Sequence, residues 1–291
     1  MKLKVKAIGA ILLLSILVIS TASSIGVGTV SAYQGSGVFC PNRYIPAYPP
    51  GDTPDEIVLS TQACYYIAGY LYNQYYPGLS YFMFGDPLWG MYSPMVPESY
   101  SLILDDLEAY SSSVTVFSKG HATPWGSTDN YWPWGAGDHY QLLCTFNPDA
   151  AQDTDEIFYG TDQGKCRFNF IWHCGTANSY PLVYGLTDSD GYIGMPYCFT
   201  HNNGMSLYGG SGSHVFLGWS WMSPQFENTI PENYYWQWAQ YAVGLYYYMH
   251  YYGWNLYTTL NDLSWQIYGT DFFYSPLYAD LIVWGNMNMY L

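Results

Sequence analysis

Short apolar runs that alternate with helical segments restrict the fold of this chain more than any other feature. The two strongest runs are Val215 to Leu217, which is entirely aromatic and aliphatic, and Phe168 to Trp172, in which Asn169 is the one polar residue. Such runs are typical of strands that are buried on both faces of a parallel sheet. Similar runs predict three further strands, at Tyr81 to Phe84, Val114 to Phe117 and Leu281 to Trp284. The alternation predicts an α/β fold in which helices flank a mostly parallel sheet.

Helix signals lie between the predicted strands. Thr53 to Glu56 combines a cap residue, a proline at the first helical position and a glutamate three residues after the cap, which is the pattern of a capping box. A second helix is predicted to begin at Pro97. Two more are predicted at Glu232 to Tyr252 and at Tyr257 to Tyr268, each followed by a glycine. The segment Cys40 to Asp52 is rich in Pro and Gly and predicts an irregular arm.

The N-terminus has the pattern of a secretory signal peptide. Three lysines precede Ala7, an apolar run extends to Ile19, and a stretch of small residues ends at Ala32. The run is shorter than the ~20 residues of a spanning helix, which favours a cleaved leader over a retained anchor. We therefore expect residues 1–32 to be a signal peptide and residues 33–291 to be one domain. The mature protein is expected to be secreted, with no stable membrane span.

The charge of the chain restricts its partners. Seven basic residues stand against 22 acidic ones, and the formal net charge is −15. Such a surface repels phosphate backbones, so the composition argues against binding of nucleic acid. Tyrosine is abundant where lysine or leucine is usual, and its amphipathic ring covers surface with few charges. The tyrosines indicate either adaptation to an extracellular setting or a tyrosine-rich adhesive face.

Two residues suited to nucleophilic catalysis follow two of the predicted strands. His121 comes soon after the strand at Val114 to Phe117, and Cys174 comes two residues after Trp172. Neighbouring parallel strands lie about 4.8 Å apart, so side chains at their carboxyl ends can reach a common substrate. A free thiol has a pKa of about 8.5 and needs a basic partner to react at neutral pH. A histidine can serve as that base and then as an acid to the leaving amine.

With these two segments the chain resembles the caspase-like cysteine peptidases, a group that includes caspases, metacaspases, legumains and gingipains. Their shared pattern is a hydrophobic strand that runs into Gly-His, and a later strand that runs into a cysteine followed by a small residue. Residues 114–121 and 168–175 have the two halves of this pattern, and Val215 to Trp221 resembles the strand and loop of the substrate groove. The resemblance implies a caspase-like layered fold. It also implies a secreted cysteine endopeptidase that hydrolyses polypeptides through a thioester acyl-enzyme, with no cofactor and no metal.

The resemblance also assigns roles to residues. Cys174 is the implied nucleophile, His121 the general acid and base, and the backbone N–H groups of Ala122 and Cys174 the oxyanion hole. Ala122 stands where these families usually have glycine, and its Cβ restricts positive φ. Trp172 replaces an acidic residue or glutamine found in several of the families, so no preference for a charged substrate side chain is inherited. The expected substrate-binding residues are Trp172, Trp219, Ser220 and Trp221.

The remaining histidines are expected to have no part in the chemistry. Adjacent residues of a strand point to opposite faces, so His173 should face away from a catalytic Cys174. His139, His201 and His214 match no zinc spacing, and no metal site is predicted.

The cysteine count leaves a second function open. Six cysteines in an exported chain can form three disulfides, in any of 15 connectivities. If Cys174 is kept as a free thiol, five cysteines remain, and an odd number cannot all pair in disulfides. A disulfide through Cys174 would favour the alternative function, a non-catalytic extracellular surface or binding protein on a caspase-like scaffold.

Overall fold

A six-stranded sheet with helices against both faces forms the centre of the fold. The computed structural model describes residues 34–40, 53–74, 80–84, 97–120, 122–123, 141–143, 151–152, 154–177, 194–202 and 204–291. The strands are β1 (Gln34–Cys40), β2 (Ser80–Phe84), β3 (Ser113–Lys119), β4 (Ala122–Thr123), β5 (Gln141–Leu143), β6 (Ala151–Gln152), β7 (Cys166–Trp172), β8 (Val215–Trp219), β9 (Thr229–Ile230), β10 (Asn233–Gln237) and β11 (Leu281–Gly285). The α-helices are α1 (Pro54–Gln74), α2 (Pro97–Tyr110), α3 (Thr154–Gly160), α4 (Met195–Thr200), α5 (Trp238–Tyr252), α6 (Leu256–Tyr268) and α7 (Leu277–Asp280).

The central sheet has the strand order β11-β8-β7-β3-β1-β2. The pairs from β2 to β8 are parallel, and β11 alone pairs antiparallel, with β8. This confirms the predicted α/β fold with a mostly parallel sheet. Because β3 and β7 are neighbours and run in the same direction, the segments that follow them leave the sheet side by side.

Two hydrophobic clusters cover the two faces of the sheet. Helices α1, α5 and α6 pack on the face that includes Phe117, Phe170 and Trp172. Helices α2, α3 and α4 pack on the face that includes Val116 and Ile171. Burial from both sides explains why β7 and β8 are rich in aromatic and aliphatic residues, since each fully buried large apolar side chain contributes about 1.5–3 kcal/mol.

Strand β1 was not among the predicted strands, because its first four residues, Gln34 to Gly37, are glycine, serine and glutamine. It nevertheless lies inside the sheet, between β2 and β3. A Cβ atom at Gly35 would collide with the Ser111 side chain, and one at Gly37 would lie 2.7 Å from the ring of Phe39 and 3.1 Å from a methyl of Leu107. Glycine is therefore required where α2 and the turn after it approach the strand.

The predicted helix from Glu232 to Tyr252 begins later than expected. Asn233–Gln237 forms β10, which pairs antiparallel with β9. The helix starts at Trp238, where the side chains of Gln237 and Gln240 each accept a backbone N–H of the other residue. Aromatic residues at positions 234–236 favour a strand, and the reciprocal glutamine cap sets the boundary.

Several predictions fall on residues outside the described ranges. These are the signal peptide at 1–32 and the part of the Pro- and Gly-rich arm from 41 to 52. Within the described ranges, no helix combines the length and the apolar character that a membrane crossing requires.

Candidate active site

Cys174 lies two residues beyond the end of β7, at the carboxyl edge of the sheet. Its thiol is free and partly buried. The sulfur accepts the backbone N–H of Ser223 at 3.3 Å and lies 3.5 Å from the Ser223 hydroxyl oxygen. A backbone N–H directed at sulfur stabilises negative charge that develops there. Ser223, on the loop after β8, was not identified from the sequence.

The backbone turns sharply after Cys174. Gly175 has φ of +68°, in the left-handed region that favours glycine. Its N–H donates to the carbonyl of Trp221 at 2.5 Å, and the N–H of Ala177 donates to the carbonyl of Trp219 at 3.1 Å. These bonds attach the segment after the thiol to the loop after β8. The small residue after the cysteine is therefore explained by the backbone, because this turn needs the positive φ that glycine adopts most easily.

The end of β3 lies beside the end of β7. Lys119 is in register with Trp172, and the N–H of Gly120 donates to the Trp172 carbonyl at 3.3 Å. The backbone just before His121 is thus next to the residue two positions before Cys174. His121 lies outside the described residues, so the approach of its ring to the thiol stays a prediction.

The two predicted oxyanion-hole donors are both backbone groups. Within the described ranges no acceptor is seen for the N–H of Cys174, and its role in an oxyanion hole stays a prediction. Ala122 opens the short strand β4 and is in register with Leu142 of β5. Its role in an oxyanion hole also stays a prediction.

His173 is completely buried, and its Nε2 lies 2.7 Å from the Ser118 hydroxyl oxygen. Ser118 stands between Phe117 and Lys119, whose side chains face α1, so Ser118 and His173 lie on the opposite face of the sheet. This agrees with the expectation that His173 faces away from Cys174.

Trp172 and Trp219 are core residues, with exposed fractions of 0% and 1%. Their ring centroids are 4.8 Å apart, and both rings contact Trp238. The indole N–H of Trp172 donates to the Pro224 carbonyl at 2.9 Å. Both rings are therefore buried beneath the loop after β8, and the expected substrate contacts of these two residues stay a prediction.

The exposed part of the expected substrate wall is Trp221, which is 70% exposed. Ser220 is half-buried, and its hydroxyl donates to the Ala279 carbonyl at 3.3 Å. Met222, which the sequence analysis did not identify, is exposed next to Trp221. The two exposed side chains on this loop next to Ser223, Trp221 and Met222, are thus apolar and uncharged.

A buried ion pair joins the end of β3 to α1. Lys119 Nζ lies 2.8 Å from Glu56 Oε1, and both side chains are almost fully buried. Glu56 also accepts from the Ser60 hydroxyl at 3.1 Å and from the Glu227 N–H at 3.0 Å. The Lys119 ammonium lies 5.0 Å from the centroid of the Phe226 ring. One carboxylate therefore connects the first turn of α1, the end of β3 and the loop after β8.

The predicted capping box is half formed. Thr53 Oγ1 accepts the N–H of Glu56 at 3.1 Å, as the pattern requires. The Glu56 carboxylate binds Lys119, and the Thr53 hydroxyl donates to the carboxylate of Glu227. Glu56 therefore pairs with Lys119, distant in sequence, and does not complete the local capping box. No short-range signal in the sequence pairs positions 56 and 119.

The other described cysteines, Cys40, Cys64, Cys166 and Cys198, are buried. Burial raises the pKa of Cys64 and of Cys166 well above the usual thiol value. These two thiols therefore stay protonated at neutral pH and are poor nucleophiles. No disulfide joins the five described cysteines, whereas Cys144 lies outside the described residues.

The described histidines beyond His173 bind the backbone or pack against other rings. Nε2 of His201 lies 2.9 Å from the Phe158 carbonyl, and Nε2 of His214 lies 2.9 Å from the Gly164 carbonyl. His250 stacks against Tyr70. No group of metal-ligating side chains occurs in the part of the chain that the structure describes, and His139 falls outside it.

Comparison of the chain with protein-family models, with curated proteins and with solved structures gives no match in any of the three. A functional assignment therefore depends on the residues and on their geometry.

Proposed function

We propose that this chain is a secreted cysteine endopeptidase of the caspase-like type, in which Cys174 attacks the peptide carbonyl. The observation that carries the proposal is a free, partly exposed thiol at the carboxyl edge of β7, beside the strand that leads into Gly120 and His121. Catalytic and binding groups of parallel α/β sheets gather at this edge. Among the described cysteines, the others are all buried, which makes Cys174 the accessible nucleophile.

In the proposed reaction, His121 removes the thiol proton and the sulfur of Cys174 bonds to the carbonyl carbon. The N–H groups of Cys174 and Ala122 bind the oxyanion that forms. Collapse of this intermediate breaks the C–N bond, and the proton on His121 passes to the leaving amine. Water activated by His121 then hydrolyses the thioester, which releases the new carboxylic acid and restores the thiol.

The test compares variants on a casein substrate and on fluorogenic peptides. Cys174→Ala and His121→Ala should each lower kcat/KM by at least about a thousandfold, since members of one catalytic unit fail together. Cys198→Ala, which removes a buried thiol, is the matched control and should retain hydrolysis in its folded fraction. Iodoacetamide should alkylate Cys174 of the native protein before any other described cysteine. Full hydrolysis by His121→Ala would contradict the mechanism.

A second candidate is a non-catalytic extracellular binding protein on the same scaffold. The exposed tyrosines favour it, among them Tyr65, Tyr234, Tyr235 and Tyr274, each with most of its side chain in solvent. This candidate predicts that Cys174→Ala leaves the function intact, so the same variant separates the two.

A further inference from the structure

A cleft of about 490 Å³ lies between helices α1 and α5. This volume falls in the usual range for small-molecule sites, about 300–1,000 Å³. Its most buried lining residues, Ala63 and Ala239, are small. Large rings line the rest of the cleft, from Tyr66, Tyr70, Tyr235, Trp236, Tyr247 and Tyr248. Small residues at depth and rings around them form a concave aromatic site.

Among the residues that the structure describes, no aspartate, glutamate, lysine or arginine lines the cleft. This is notable in a chain whose formal net charge is −15. A site without charged groups offers no counter-ion to a phosphate or a carboxylate, and burying such an anion there would be costly. The chemistry of the cleft therefore disfavours an anionic ligand.

The polar groups of the cleft are carboxamides. Gln62, Gln237 and Gln240 all line it. Gln240 Oε1 accepts the N–H of Gln237 at 2.8 Å, and the Gln237 side chain accepts the N–H of Gln240 in return. These bonds occupy the amide oxygens and hold both side chains in one arrangement. Within the described ranges, the NH₂ groups of Gln237 and Gln240 remain as donors for a ligand.

The tyrosines of the cleft are spaced along the helices. Tyr66 and Tyr70 are four residues apart on α1, about 6 Å along the helix axis. Across the cleft, the ring of Tyr247 lies 6.0 Å from that of Tyr70 between centroids. Burial and the neighbouring tyrosines raise the pKa of Tyr70, so its hydroxyl keeps its proton. The site thus combines flat apolar ring faces with neutral hydroxyl and amide groups.

We propose that the cleft between α1 and α5 binds a neutral oligosaccharide. The apolar C–H faces of pyranose rings would lie against the tyrosine rings, and the sugar hydroxyls would accept from the glutamine NH₂ groups. A proline-rich peptide is the other class of ligand that uses aromatic grooves. A sugar fits better because its hydroxyls match both donors and acceptors, and the phenol and amide groups of this cleft supply both. The proposal is independent of the peptidase chemistry at Cys174.

Titration of the full-length protein with cellohexaose, maltohexaose, mannohexaose and chitohexaose tests the proposal, with calorimetry and tryptophan fluorescence as readouts. At least one of them should bind with Kd below about 1 mM. Tyr66→Ala and Tyr247→Ala should each weaken that binding by about three- to tenfold. Val243→Trp, which places a large ring in the cleft lining, should abolish it while the thermal unfolding profile shows a folded protein.

The chain offers a matched control in Tyr65, the neighbour of Tyr66 on α1, which is 71% exposed but does not line the cleft. Tyr65→Ala should bind the oligosaccharide as tightly as the unaltered protein. Cys174→Ala should also bind it unchanged, so loss of peptidase activity and loss of sugar binding are distinguishable. The proposal fails if none of the four oligosaccharides binds, if Tyr65→Ala weakens binding as much as Tyr66→Ala, or if a decaproline peptide competes as the tighter ligand.

Discussion

At the scale of single residues, the two neighbours His173 and Cys174 have opposite environments. The imidazole is buried against Ser118, whereas the sulfur meets the loop after β8 and is partly exposed. Alternation along a strand made this division predictable from the sequence. The partner residues Ser118 and Ser223 were not predictable, because serine has no pattern that distinguishes a structural contact from a surface position.

The first residue-scale prediction concerns His173. His173→Ala removes the contact with Ser118 and leaves a void in the sheet, and should lower the free energy of unfolding by about 1–3 kcal/mol. Hydrolysis by the folded fraction should change little, because the ring lies on the face opposite α1 and away from the sulfur of Cys174. Urea unfolding and peptide hydrolysis measured on the same sample check both parts. A loss of hydrolysis equal to that in Cys174→Ala would show that His173 acts in the chemistry.

The second residue-scale prediction concerns specificity. Trp221 and Met222 are the exposed side chains nearest in sequence to the thiol's partner Ser223, and both are uncharged. We expect a peptide-library profile with cleavage beside uncharged or aromatic side chains. Trp221→Ala should raise KM for such peptides more than it lowers kcat, since it removes binding surface and no reacting group. Cleavage only after aspartate, or only after arginine, would contradict this expectation.

At the scale of elements, the ion pair between Lys119 and Glu56 connects α1, β3 and the loop after β8. Breaking a buried pair leaves an uncompensated charge, so Lys119→Met should lower the free energy of unfolding by about 3–5 kcal/mol. Adding Glu56→Gln to Lys119→Met removes that charge, and the double variant should be more stable than the sum of the single effects. Arg167→Met, at an exposed position of β7, is the control and should change stability by less than about 0.5 kcal/mol. Additive effects in urea unfolding would mean that the two side chains are not coupled.

The elements also divide into those that a local pattern predicts and those that need a tertiary partner. Strands β3, β7 and β8 were predictable because burial on both faces favours near-continuous apolar runs. Strand β1 was not, because Gly35 and Gly37 are small to make room for Ser111, for Leu107 of α2 and for the ring of Phe39, and no pattern in the sequence indicates these contacts. Trp172 was assigned to a buried strand from its sequence and, with Trp219, to the substrate site from the family resemblance. Packing against Trp238 places both rings in the core.

At the scale of the whole molecule, two histidines make stability depend on pH. Burial lowers the pKa of His201 and of His214. The unfolded chain then binds protons more readily than the folded one. The stability that the two neutral histidines contribute is therefore fully present above the ordinary histidine pKa of about 6.5, and it is lost as pH falls below that value. Glu108 has the opposite effect on stability. Burial raises its pKa, so the folded state takes up a proton more readily than the unfolded chain as pH falls.

We therefore expect the double variant His201→Gln and His214→Gln to lose less stability between pH 7 and pH 5 than the unaltered protein. Urea unfolding at both pH values measures the difference, with Glu108 kept unchanged in both chains. His250→Gln is a comparison variant, because burial lowers the pKa of His250 as well but its ring lies against exposed tyrosines. Identical pH dependence in the double variant and the unaltered protein would rule out this assignment.

The position of β11 has a consequence for the timing of folding. This strand comes after every other strand of the sheet in sequence, yet it pairs with β8, and Asp280 just before it accepts the N–H of Ser220. The loop that contacts Cys174 begins at Ser220. A ribosome therefore has to deliver more than a hundred residues beyond Cys174, through β11, before the surroundings of the sulfur can assemble. A nascent chain that ends before β11 has the cysteine without these contacts, which delays the proposed proteolytic activity until β11 has emerged.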